Sequence, residues 1–145
     1  MPTIIPPASI QNLQQVEAYV SGPDTANRLL TISGQFDAGV LVGGQAGNFG
    51  QSSTTFSLLV GPVLTHNQFF KAIATGSLAK ISFNNDGAVP FIPTWNITAV
   101  NAEWDDQSGQ VELTIEVFLQ AYGLSNDTIL GGLNFQVTIL YMAAA

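Results

Sequence analysis

What this chain lacks most is charge. Three basic residues (Arg28, Lys71, Lys80) and ten acidic ones leave 9% of its 145 residues charged, with a net charge of -7. An ordinary soluble domain carries about 25%. Lys and Arg neutralising phosphates supply most nucleic-acid affinity, and three scattered cations form no patch, so nucleic acid is not an expected partner. The same count excludes basic attachment to an anionic membrane surface.

Cysteine is absent, which removes disulfides, thiolate nucleophiles and Cys-ligated metals from consideration. Histidine occurs once, at His66. No stretch approaches the ~18 uninterrupted apolar residues of a membrane-crossing helix, and no transmembrane segment is expected. The start of the chain has no basic region followed by an apolar run, so it does not read as a secretory signal. This assigns no location: the chain stays in the cytoplasm, leaves by another route, or has had a signal removed.

What is present is β-type alternation. In the run Val111 to Gln120 every odd residue is a large aliphatic and most even ones are polar, the period of a half-buried strand. Trp95, Ile97 and Ala99 give one face of a second strand. Leu133, Phe135, Val137, Ile139 and Tyr141 give one face of a third. Between the first two lies Asp105-Asp106-Gln107-Ser108-Gly109, with turn chemistry. Closing that hairpin with Trp104 opposite Gln110 sets Ala99 against Ile115, Ile97 against Val117 and Trp95 against Leu119. The third strand is expected to pair on the other side of Val111–Gln120 across a loop from Gly123 to Gly132, completing a C-terminal three-stranded meander.

The first half reads as shorter strands punctuated by Gly and Pro: Val16–Ser21, Arg28–Phe36, Val40–Val42, Thr54–Val60, Leu78–Phe83 and a short one near Val89–Ile92. One helical turn is expected from His66 to Ala72, with Thr65 as its cap. About eight short strands with no fixed repeat imply an all-β, antiparallel β-sandwich, jelly-roll-like in winding. The expected organisation is an extended Pro-rich N-terminal arm over residues 1–12 and a single sandwich domain over residues 13–145.

Candidate chemistry is sparse. His66 has no Gly-x-Ser-x-Gly elbow beside it or elsewhere, so it reads as a loop histidine. Glu112 and Glu116 on one strand stand roughly 13 Å apart by strand rise, too far for a glycosidase pair at ~5–9.5 Å. Asp105 and Asp106 could offer oxygen ligands to Ca²⁺, although the spacing is not that of an EF-hand. A solvated turn is the preferred reading there, and no other cofactor is expected. The glycine-dense run Gly43 to Gly50 has no lysine and no following helix, so it reads as a flexible loop rather than a phosphate cradle, with Phe49 as an exposed contact residue.

The meander's outer face is expected to carry Trp104, Val100, Phe118, Tyr122, Leu140 and Met142, a half-apolar surface of the kind normally covered by something. Together with Ile4 and Ile5 of the arm, these are the candidate interface residues. The expected function is that of a non-enzymatic structural subunit that self-associates into a homo-oligomer, shell or filament. The alternative is a carbohydrate-binding, lectin-like module, with Trp95, Asn84, Asn85, Asp86, Asp105 and Asp106 as candidate ligand contacts.

Overall fold

The computed structural model describes residues 2–19, 27–85 and 93–143. The end of the strand expected over Val16–Ser21, the strand expected near Val89–Ile92 and the candidate contact Asp86 lie outside them. Eight strands are present: β1 (Thr3–Ile4), β2 (Gln11–Tyr19), β3 (Asn27–Gly43), β4 (Phe49–Val60), β5 (Phe69–Asn85), β6 (Thr94–Trp104), β7 (Val111–Tyr122) and β8 (Asn126–Met142). They form two four-stranded sheets, β1-β4-β7-β6 and β2-β3-β8-β5, packed face to face as an all-β sandwich. Every pairing is antiparallel except β1 with β4. Among the described residues no helix is long and apolar enough to cross a membrane.

Alternation in β7 produces the centre of the core. Val111, Leu113, Ile115, Val117, Leu119 and Ala121 are each at most 1% exposed. Burying one such aliphatic side chain is worth about 1.5–3 kcal/mol, so this face alone dictates which side of the strand turns inward. Leu133, Phe135, Val137, Ile139 and Tyr141 of β8 supply the facing layer, and Phe36 packs its ring against Phe56 and Phe135 with centroids 5.6 and 6.3 Å away.

The C-terminal meander does not form. The β6–β7 hairpin does, but the other neighbour of β7 is β4, and β8 lies in the opposite sheet between β3 and β5. The physical reason lies in residues 123–128. Gly123 and Ser125 take positive φ (92° and 67°), so three residues reverse the chain between layers instead of a long loop within one. Asn126 then donates from Nδ2 to the Tyr122 carbonyl at 2.9 Å, and the Thr128 hydroxyl donates to the Gln120 carbonyl at 3.1 Å. Both residues are buried; their polarity hides an inward-facing strand start from an apolar-pattern reading.

The strand order does not establish the jelly-roll winding expected. Sequential strands lie side by side in each sheet, β2 with β3 and β6 with β7, and the central strands β3–β4 and β7–β8 are two consecutive pairs each divided between the layers. The N-terminal arm is not free either. Thr3 and Ile4 pair with Phe56 and Ser57, the Ile5 amide donates to the Ser57 carbonyl at 2.8 Å, and Ile5 belongs to the core. By Gln11 the chain is already in β2.

Other boundaries move for local reasons. The two strands expected over Arg28–Phe36 and Val40–Val42 are one, with Gly39 at φ 62° absorbing a bulge. The helical turn expected from His66 is a turn closed by Gln68 and Phe69 amides onto the Thr65 carbonyl, after which β5 begins. The glycine-dense segment is tightly fitted rather than flexible. A Cβ on Gly50 would sit 1.8 Å from the Gly43 carbonyl oxygen, and one on Gly44 2.2 Å from that of Gly123. We therefore expect Gly50→Ala to destabilise the fold by about 3 kcal/mol, measured by urea unfolding, whereas Gly47→Ala, with nothing within 4 Å, meets only its φ of 64° and costs less.

Candidate functional site

The register of the β6–β7 hairpin decides where the candidate residues face. Ile97 opposite Val117 and Trp95 opposite Leu119 are as the alternation requires, but Val100, not Ala99, stands opposite Ile115. A bulge at Thr98 accounts for the one-residue difference. The Thr98 hydroxyl hydrogen-bonds the Glu116 carboxylate at 2.7 Å, and beyond the bulge every β6 side chain changes face. Val100 and Trp104 consequently turn inward rather than outward.

Trp104 is therefore not an outer-face residue. It closes one end of the sandwich, its indole N–H shared between the carbonyls of Leu64 at 3.2 Å and Gly109 at 3.1 Å. The single histidine, His66, stacks edge-on against it at 5.4 Å. The remaining candidate interface residues are divided. Phe118 and Tyr122 stand on the outer face of the β1-β4-β7-β6 sheet, where Tyr122 meets Phe49 edge to face at 4.9 Å. Leu140 and Met142 stand on the outer face of the other sheet, and all four are half-buried. Of the arm, Ile4 is exposed and Ile5 is buried.

The candidate ligand contacts are divided as well. Asn84 and Asn85 end β5, Asn84 donating to Asp127 at 3.4 Å. Trp95 is exposed on β6 at the same end. Asp105 and Asp106 follow the opposite end of β6, about 30 Å away by strand rise. The Asp105 carboxylate accepts from the Ser108 amide at 3.0 Å and the Ser108 hydroxyl at 2.6 Å. These bonds, the hydroxyl first, hold its pKa below the usual carboxylate value. Both fall on the same oxygen, Oδ2.

Beside that turn the acidic side chains of the hairpin end gather. Glu103 stands directly opposite Glu112 across the hairpin, and with Trp104, Asp105 and Asp106 they line an open groove of about 360 Å³. The signal was the bulge at Thr98, without which Glu103 would face Val111. Like charges directly opposed on a sheet repel. Among the described residues no group of three or more His, Cys, Asp or Glu is gathered closely enough to hold a metal.

The sheet edges differ more from one another than the faces do. Edge strands offer unpaired N–H and C=O groups, and proteins blunt them with brevity, proline, lysine or bulges. β1 has two residues, runs into Pro6 and Pro7 and pairs β4 only at Phe56 and Ser57, so among the described residues positions 49–55 of β4 have no strand on that side. β5 carries Lys71 and Lys80 and three register shifts. β6 carries the Thr98 bulge and Glu103. β2 is nine residues long, exposed at every position, and after an irregularity between Gln11 and Gln14 pairs regularly with β3 from Gln14 to Tyr19. It contains no proline or lysine and one charge, Glu17. Among the described residues no strand pairs its other edge.

Glu17 is anchored. Its Oε1 lies 3.3 Å from the Arg28 Nε and accepts from the Tyr141 hydroxyl at 3.2 Å, while the Arg28 guanidinium sits 4.1 Å over the Tyr19 ring. Desolvation, and then the Glu17 charge, push the Tyr141 phenol above its ordinary pKa. This cluster ties β2 to β3 and β8 while leaving its outer edge open.

Two outcomes are expected here. Glu103→Gln should raise stability by a few tenths of a kcal/mol, as measured by urea unfolding, with the gain shrinking at high salt because exposed charges are screened. The Asp105 pKa is depressed in the folded state, so its contribution is present above the unfolded carboxylate value near ~4 and is lost as pH falls through the folded value. Melting curves of Ser108→Ala should therefore lose part of the stability drop seen on acidification.

Comparison of the chain with protein-family models, with curated proteins and with solved structures found no match.

Proposed function

We propose that this protein is a non-enzymatic structural subunit that self-associates through its sheets. The observation that carries this reading is the edge of β2. β5 and β6 are blunted by lysine, charge and bulges, whereas β2 presents six regularly paired residues with one charge among them. An open, nearly neutral edge of this kind is a template for another strand. The low net charge adds little long-range repulsion between copies, and the same end of the sheet exposes Val16, Leu29 and Ile73.

A neutral glycan is the second reading, favoured by the outer face of the β2-β3-β8-β5 sheet. There Ser33, Gln136 and Thr75 form one cross-strand row and Gln35, Asn134 and Ser77 the next. They floor a shallow depression of about 360 Å³ with no charged residue in its lining. Hydroxyls and amides suit sugar hydroxyls, and this surface is distinct from the contacts expected from sequence.

Light scattering at tens of micromolar should give a mass at least twice the 15.3 kDa chain. Val16→Lys should reduce it to one chain without loss of melting temperature, because Val16 is 69% exposed; Leu41→Lys, at 59% and outside β2, should leave it unchanged. A monomeric parent protein removes the self-association reading, and binding of neutral glycans by that monomer would favour the second.

A further inference from the structure

Pairing through β2 has only a few geometrically possible registers, and the residues discriminate between them. A twofold axis perpendicular to the joined sheet preserves which face is inner and sets residue i opposite residue j with i + j even, since opposed residues must turn the same backbone edge outward. Within the regular stretch Gln14–Tyr19, two centres oppose five residues each, Val16 and Glu17; centres on Gln15 or Ala18 oppose three.

The Glu17 centre sets the strand's one charge against its own copy, which is unfavourable for directly opposed residues. A parallel pairing in register would stack the same two carboxylates. The Val16 centre sets Val16 against Val16, so that an exposed aliphatic on the outer face is covered by its equal. It sets Gln15 against Glu17 on the inner face, an amide donor beside a carboxylate, and Gln14 against Ala18. Glu17 keeps Arg28 and Tyr141 within its own chain, so no charge is left uncompensated by this register.

We propose that two copies of this chain join β2 to β2 antiparallel about a twofold axis at Val16, fusing two four-stranded sheets into one of eight strands. This rests on the self-association reading and adds to it the partner, the edge and the register. The device is local: one charge placed one residue beyond the centre of an otherwise neutral edge excludes the competing alignment.

The absence of cysteine allows a clean test in the full chain. Opposed Cα atoms in an antiparallel pair are about 4.5–5.5 Å apart, within disulfide reach of about 4.4–6.8 Å. Val16→Cys should therefore form a covalent dimer under mild oxidation. The rate should exceed that of Leu41→Cys by on the order of a hundredfold, since paired thiols see millimolar effective concentrations rather than micromolar collision. Gln15→Cys should cross-link to Glu17→Cys when the two are mixed and not to itself, because the diagonal separation exceeds about 7 Å.

Each other result overturns a separate part. Self-cross-linking of Gln15→Cys overturns the register and leaves the edge standing. An oligomer by light scattering in which no β2 thiol outpaces Leu41→Cys overturns the β2 pairing and leaves self-association standing. A parent chain that is monomeric by light scattering overturns both.

Discussion

Six alternate residues of β7, Val111 to Ala121, are pressed against the inward side of β8, and the two strands face each other because they lie in opposite sheets. That burial is the constraint on which the rest of the molecule depends. It requires the chain to leave one layer and enter the other within three residues after Tyr122, which explains the positive φ at Gly123 and Ser125 and the buried amide and hydroxyl that satisfy the carbonyls of Tyr122 and Gln120. The neighbouring crossing from β3 to β4 packs against it so closely that Gly44 has no room for a side chain beside Gly123, and within that crossing Gly50 has none beside Gly43.

With those crossings in place the partners of β7 and β8 follow. β4 takes the free edge of β7, β3 takes that of β8, and the outer positions fall to β1, β6, β2 and β5. The four edge strands then face the solvent under the same physical hazard, the open backbone ladder. β5 and β6 meet it with local devices. β2 does not, and its exposure follows from the sandwich beneath it: the strand is an extra width of sheet held to β3 and β8 through Glu17, Arg28 and Tyr141 rather than by a core of its own. Association through that edge would extend a ladder the fold leaves unfinished.

The bulge at Thr98 has a comparable reach on the other sheet. One extra residue turns Trp104 from the outer face into the end of the core, where its N–H is satisfied twice, and brings Glu103 opposite Glu112. A sequence pattern with strict period two cannot register such an insertion, because Ile97 and Trp95 before it and Val100 and Ala102 after it each alternate correctly within their own segment. The local cue was a threonine hydroxyl able to bond Glu116, which is a tertiary fact. The acidic hairpin end likewise contained the right residues in sequence but not their arrangement.

The sequence alone determined that the chain is all-β and which face of β7 and of Leu133–Tyr141 is buried. Alternation of side chains is an intrinsic property of an extended backbone, so it can be read residue by residue. Tertiary structure decided which sheet β8 joins, that Ile5 enters the core, and that β2 is left with an open edge. Those outcomes are set by which apolar faces meet across the sandwich, and periodicity states only that a face must be covered, never by what.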